Sequence, residues 1–286
     1  MIKIDDKTMS NKPITPDVIY ELVSISNPTV TPKGHLLVYS EGTVDSETLE
    51  TKSRLTMMNL SHGSKTFITE GPKDNLPKFS SDGEMIAFLR ADENKQPQIW
   101  TIPVNGGTPV RLTSTNGGIQ DFEWSPKSDA LAFVSDVWPD NEGPNLTSSS
   151  EPHVKVANRI GYRADTLGWR GNAYRHIFTI GITGGEPHQI THGLYDNWGP
   201  KWSRDGKKIG FISARHDDRE VTPYNEAYVV STAGENPVVW SRGLSSVATL
   251  VWDISGEFIL VVASEDEAIE STWQGQLYLL HPSNPP

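Results

Sequence analysis

One segment recurs along this chain and sets what it can fold into. Lys78-Phe79-Ser80-Ser81-Asp82-Gly83-Glu84-Met85-Ile86-Ala87-Phe88 aligns with Lys201-Trp202-Ser203-Arg204-Asp205-Gly206-Lys207-Lys208-Ile209-Gly210-Phe211. The same register recovers Glu123-Trp124-Ser125-Pro126-Lys127-Ser128-Asp129-Ala130-Leu131-Ala132-Phe133, with Ser128 at the glycine position. Two weaker copies run from Val30 to Tyr39 and from Trp252 to Val261. In each copy an aromatic or β-branched residue closes one strand, a Ser/Asp/Pro/Gly turn follows, and an apolar run opens the next strand. Glycine supplies the positive φ of the turn without a steric cost.

A second hairpin follows each copy. Gln98-Ile99-Trp100-Thr101-Ile102 leads through Gly106-Gly107 to Val110-Arg111-Leu112, and His176-Ile177-Phe178-Thr179-Ile180 leads through Gly184-Gly185 to His188-Gln189-Ile190. Two hairpins per unit make a four-stranded antiparallel sheet. The glycine positions 34, 83, 128, 206 and 256 lie 49, 45, 78 and 50 residues apart. Propeller blades recur at about 40 to 50 residues, so one interval carries an insertion of about 30. The expected fold is an all-β propeller of four-stranded antiparallel blades, about five in number, forming part of a seven- or eight-bladed ring. Residues 1–22 read as an N-terminal segment with a short helix, in which Thr15 is the N-cap, Pro16 the first helical residue, and Val18, Ile19 and Leu22 one apolar face. Residues 23–286 read as blades, with the insertion near 137–175.

Composition narrows the function classes. A formal charge of −11, from 25 basic and 36 acidic side chains, opposes a phosphate backbone, and no basic run offsets it, so nucleic acid is not an expected partner. The absence of cysteine removes disulfides, thiolate catalysis and Cys-based zinc sites. Residues 1–12 are polar and no apolar run nears the roughly 20 residues that cross a bilayer, so the expected setting is cytoplasmic, without a membrane. His188 and His192 are four apart at a strand end, where that spacing does not converge, and His153, His176 and His216 have no paired ligand spacing; no metal is expected. Gly106-Gly107 and Gly184-Gly185 open no helix, so no nucleotide cofactor is implied. Asp82, Asp129 and Asp205 recur at turn positions, where a carboxylate accepts local backbone hydrogen bonds.

At Ile14-Thr15-Pro16-Asp17-Val18-Ile19-Tyr20-Glu21-Leu22, and again at Asn158-Arg159-Ile160-Gly161-Tyr162-Arg163-Ala164-Asp165-Thr166-Leu167-Gly168-Trp169 and Gly193-Leu194-Tyr195-Asp196-Asn197-Trp198, the chain resembles the N-terminal propeller of the prolyl oligopeptidase superfamily of serine peptidases, in its acylaminoacyl-peptidase and dipeptidyl-peptidase-like branch. Thr166 stands where that branch often has glycine, and the fifth copy lacks the usual Ser-Pro-Asp. The resemblance implies a hydrolase domain of α/β type carrying Ser, Asp and His, with the nucleophile in a Gly-x-Ser-x-Gly elbow. No such elbow occurs in this sequence.

The resemblance implies a non-catalytic propeller that gates and orients peptides for a C-terminal α/β-hydrolase domain, in cis in a parent protein or as a separate piece. The chain alone is expected to be inactive and its parent to be a serine peptidase. Candidate substrate or domain-interface residues are Arg159, Tyr162, Arg163 and Asp165, in the one region that breaks the period. Asp196 is a further candidate. An alternative is a stand-alone protein-interaction propeller similar to those of periplasmic transport-associated systems. A five-bladed glycoside hydrolase would need carboxylates converging on the axis, which turn-bound aspartates do not offer. An arc of five blades also leaves two faces uncovered, carrying residues such as Leu36, Val38 and Tyr39 or Phe258, Leu260 and Val261 according to strand phase, and self-association through them is expected.

Overall fold

The computed structural model describes residues 14–139, 156–164, 168–222, 224–265 and 275–281. The hairpin punctuation of the sequence appears as five antiparallel sheets in chain order. The first sheet holds β1 (Ser24–Val30), β2 (Leu36–Val44), β3 (Thr51–Asn59) and β4 (Lys65–Phe67), and the second holds β5 (Asn75–Phe79), β6 (Met85–Ala91), β7 (Pro97–Pro103) and β8 (Val110–Arg111). The third sheet begins with β9 (Asp121–Trp124) and β10 (Ala130–Val137). It is interrupted by a small hairpin, β11 (Arg163–Ala164) with β12 (Gly168–Trp169), and resumes at β13 (Tyr174–Gly181) and β14 (His188–Gln189). The fourth holds β15 (Asn197–Trp202), β16 (Lys208–Ser213), β17 (Glu226–Ser231) and β18 (Val238–Val239). The fifth has three strands among the described residues, β19 (Ser245–Trp252), β20 (Ile259–Ser264) and β21 (Gln276–Leu280). This is an incomplete β-propeller of about five blades.

Each blade boundary has its own apolar seam. Val38 and Leu55 of blade one meet Phe79, Ile86, Phe88 and Ile102 of blade two. Leu89 and Ile99 meet Phe122, Leu131 and Phe133 between blades two and three. Val134 and Ile177 meet Ile209 and Phe211 between blades three and four, and Trp240 and Val229 meet Leu250, Ile259 and Val261 between blades four and five. Four seams serve five blades. First strands of consecutive sheets touch one another, which puts them on the inner side of the arc.

The repeated turns also key one blade to the next. The backbone N–H of Asp82 donates to Ser128 Oγ at 3.0 Å, and Ser81 Oγ donates to the carbonyl of Ser125 at 2.9 Å. Ser128 holds φ +61°, close to the +77° of Gly83 and the +73° of Gly206, so it occupies a left-handed position that costs an L-residue energy. Its hydroxyl supplies a cross-blade bond that glycine could not make. Within the turns, Asp82 Oδ1 accepts from Ser80 Oγ and the Glu84 N–H, and Asp205 Oδ1 accepts from Ser203 Oγ and the Lys207 N–H.

Strand phase differs from one expectation about the two terminal faces. Val38 points into the first seam, with Leu36 packed against the same cluster, while Tyr39 on the opposite face is buried; Val261 points into the last seam. Side chains of paired residues share a face, so Val251, Leu260 and Leu279 lie together on the outward side of blade five, beside Val262 and Leu277. Of these Val251 is 47%, Leu277 69% and Leu279 60% exposed. On blade one, Arg54 bonds Glu41 at 2.8 Å and lies over the Phe67 ring. The N-terminal helix is a single 3-10 turn, Pro16–Tyr20; Thr15 precedes it without a side-chain cap bond, and Ile19 and Leu22 are exposed.

Candidate functional site

Strands β10 and β13 would meet in a short hairpin, as in other blades, were the insertion not spliced between them. The splice lies at the end of the sheet opposite the Ser-x-Asp-Gly turns. There it joins the segment before β15 and the connection between β16 and β17.

The insertion is tied down by two arginines. Arg170 is buried and forks onto Asp136, with Nε 3.2 Å from Oδ2 and Nη2 2.8 Å from Oδ1, and Nη2 also reaches Asp196 Oδ1 at 2.9 Å. Burial disfavours its charge, but the two carboxylates outweigh that and the guanidinium holds its proton more tightly than usual. Arg159 donates to Asp196 Oδ2 at 2.6 Å and to the carbonyl of Ala173 at 2.5 Å, pairs with Glu220 at 3.1 Å, and lies over the Tyr174 ring. Glu220 in turn accepts the Gly161 N–H at 3.1 Å.

Asp196 is the hub. It takes Arg159 on one oxygen, Arg170 on the other, and the backbone N–H of Arg175 at 2.8 Å. Burial would raise its pKa, yet the hydrogen bonds and charges of Arg170 and Arg159 bring it down to about 2. Behind it, Asn197 Nδ2 donates to the carbonyls of Arg175 and Tyr195, and its Oδ1 accepts from Arg215 Nη2 at 2.8 Å. Buried His176, 3.2 Å from Thr191 Oγ1, is pushed down to about 4, first by burial and then by nearby His192 and Arg215.

Of the four candidates, Arg159 enters this network directly. Tyr162 contributes its carbonyl, which accepts from the N–H groups of Arg170 and Gly171, while its ring packs 5.2 Å from Trp169. Arg163 pairs in β11 with Trp169 of β12, is exposed, and makes no ion pair with a described residue. Asp165 lies outside the described residues. The network encloses one side of a cavity of about 250 Å³, lined by Arg159, Tyr174, Asp196, Trp198, Arg219 and Glu220 among others. Among the described residues no three His, Asp or Glu side chains group to hold a metal, and no helix is long and apolar enough to cross a membrane.

No protein-family model matches the chain. The uncharacterized peptidase YuxL of Bacillus subtilis is 25% identical over 227 residues, covering 77% of this chain and 34% of its own length. Dipeptidyl-peptidase 5 of Porphyromonas gingivalis is 24% identical over 279 residues, covering 74% of this chain and 40% of its own. The acylaminoacyl peptidase of Pyrococcus horikoshii superposes with a TM-score of 0.71 at 18% identity, covering 94% of this chain and 40% of that one. The chain is a propeller domain homologous to the N-terminal propeller of prolyl oligopeptidase-family peptidases. This peptidase-type propeller spans between about a third and two-fifths of the length of these relatives. TolB from Acinetobacter baumannii shares the fold at a TM-score of 0.55 and 17% identity.

Three groups of the peptidase-type propeller escaped the reading of its sequence. Asp136 sits at the end of a strand and Arg170 follows a tryptophan, 34 residues later, so no local spacing couples them. Glu220 lies in a connection between β16 and β17 that carries no motif. A carboxylate ending an otherwise apolar strand, as Asp136 does after Ala130-Leu131-Ala132-Phe133-Val134-Ser135, was the one available signal.

Proposed function

We propose that this chain is the non-catalytic propeller of a serine peptidase and that it admits and orients peptides for an α/β-hydrolase domain of the full protein. The observation that carries this reading is the match to a peptidase and a dipeptidyl-peptidase over about three-quarters of this chain but at most 40% of theirs. The site supports it in kind. The ion-paired insertion builds a rigid, water-accessible cavity with aromatic and charged walls on the rim that gathers the blade-to-blade connections, and peptides are bound by such combinations of aromatic surface and fixed polar groups. Charged groups held by several partners hold their geometry without reorganising when a ligand arrives.

The test compares the chain with its full-length parent. A fluorophosphonate probe should label a serine in the parent and none in this chain, and only the parent should hydrolyse peptide anilides. Loss of the Asp196 hub, as Asp196→Asn, should lower kcat/KM of the parent for peptides while leaving probe labelling intact. Absence of labelling in the parent would instead favour the second reading, a protein-interaction propeller, for which the fold shared with TolB is the supporting observation.

A further inference from the structure

The cavity beside the insertion has a charge left over. Of the two arginines that line it, Arg159 is neutralised by Asp196 and Glu220. Arg219 is not: its guanidinium donates to the carbonyl of His216 at 3.2 Å, lies 5.2 Å over the Tyr195 ring, and forms no ion pair with a described residue. The Nε of Arg219 and the Nε of Arg159 are both buried without a hydrogen-bond partner, and the Arg159 side chain is only 8% exposed. Arg215 lies over the same Tyr195 ring at 5.0 Å and over the Tyr228 ring at 4.8 Å, and its hydrogen bonds go to Ser213 Oγ and Asn197 Oδ1, with no carboxylate partner among the described residues. Arg175 alongside has a buried Nε with no partner, and burial and the Arg170 charge push its pKa below the guanidinium norm. Of these guanidiniums, Arg159 and Arg170 pair with Asp136, Asp196 and Glu220, while Arg175, Arg215 and Arg219 pair with no carboxylate among the described residues.

A half-buried cluster with that imbalance gains from one further negative group, since guanidinium desolvation is repaid only by a charged acceptor. We propose that this cavity is a carboxylate-binding subsite in which Arg219 is the binding cation and Tyr174 and Trp198 are the walls. The planar fork of arginine matches a carboxylate, and a cavity of about 250 Å³ with Tyr174 and Trp198 in its lining accepts a short peptide end rather than a large ligand. The ligand class is a peptide bearing a free carboxylate. The subsite deepens the peptide-orienting function and rests on it for the nature of the ligand.

The experiment titrates purified full chain with N-acetylated tripeptides by calorimetry. One peptide has a free C-terminus, a second is C-terminally amidated, and a third is amidated but carries a glutamate side chain. The free acid should bind at least tenfold tighter than the neutral amide. Arg219→Gln should remove that preference with only a small change in melting temperature, because it breaks one hydrogen bond and one ring contact but no ion pair with a described residue; Arg219→Lys should restore part of the preference. Tight binding of the glutamate peptide assigns the subsite to acidic side chains, and its failure beside a binding free acid assigns it to the peptide terminus. Equal affinity for acid and amide, no binding of either, or an unaltered preference in Arg219→Gln overturns the proposal. These results are separable from the peptidase reading, which fails only if the full-length parent takes no fluorophosphonate label.

Discussion

The indole Nε1 of Trp252 donates to the carbonyl oxygen of Lys201 at 2.8 Å, across the boundary between the fourth and fifth sheets. Trp202 does the same to Glu123 at 3.3 Å, and Trp124 to Lys78 at 3.0 Å. In each case the acceptor directly precedes the aromatic residue that ends the inner strand of the previous blade. The repeat therefore encodes a contact between units as well as the hairpin within each. Trp124→Phe should keep the ring and lose one hydrogen bond, costing about 1 kcal/mol, whereas Trp124→Ala should cost about 3 to 5 kcal/mol through the cavity it leaves. Urea denaturation followed by circular dichroism measures both; a Trp124→Phe variant that loses no stability would remove the hydrogen bond from the account.

Ser128 sets strain against a cross-blade bond. Ser128→Gly relieves the left-handed backbone but loses the hydroxyl that accepts from Asp82, and the two effects, each about 1 kcal/mol, should nearly cancel. Ser128→Ala keeps the strain and loses the bond, so it should be the less stable variant by about 1 kcal/mol. A strong stabilisation by glycine would show that the bond contributes nothing.

Acid should unfold the site in two stages. His176 has its pKa lowered from 6.5 to about 4, so the unfolded chain binds the proton first and stability falls as pH drops from about 6.5 to 4. The full loss is on the order of 3 kcal/mol, with no further contribution from this group below pH 4. Asp196, lowered from 3.8 to about 2, contributes stability above pH 4 that is lost as pH falls towards 2. Denaturant midpoints measured from pH 7 to 3 should show the upper slope flatten in His176→Gln and persist in Asp196→Asn. A slope between pH 6.5 and 4 that His176→Gln leaves untouched would refute the assignment.

The outward side of blade five predicts association. Val251, Leu277 and Leu279 form an exposed apolar strip on paired strands, next to an edge with no neighbour among the described strands. Light scattering of this chain should give a mass that rises with concentration, and Leu277→Lys with Leu279→Lys should suppress the rise. A monodisperse monomer at high concentration would show that this strip is not adhesive.

The blades were legible because their turns make a demand few residues meet. Gly34, Gly83, Gly206 and Gly256 all carry positive φ, and a demand repeated that often leaves a period in the sequence. Even Ser128 kept the register. The tryptophan contacts were only half visible: the aromatic position repeats, but its acceptor is a backbone carbonyl and leaves no trace in residue type. The insertion resisted reading for another reason. Its ion pairs join residues 34, 26 and 37 positions apart, which topology alone brings together, so motif resemblance selected Arg163 and missed Arg170 and Asp136. Strand phase on the terminal faces was likewise unreadable, because β20 is apolar at both parities, Ile259-Leu260-Val261-Val262.

Four seams among five sheets make the described arc a linear array, in which each unit is stabilised by the ones before and after it. Stability in such an array is a sum of unit terms and nearest-neighbour terms, so the end units, with one neighbour each, open most readily and the third, with two, last. The insertion and its Asp196 hub are anchored in the third and fourth sheets. Opening of the first unit therefore reaches the cavity last, whereas opening of the fifth bares the neighbouring fourth sheet, which carries Trp198 and Arg219 of the cavity lining.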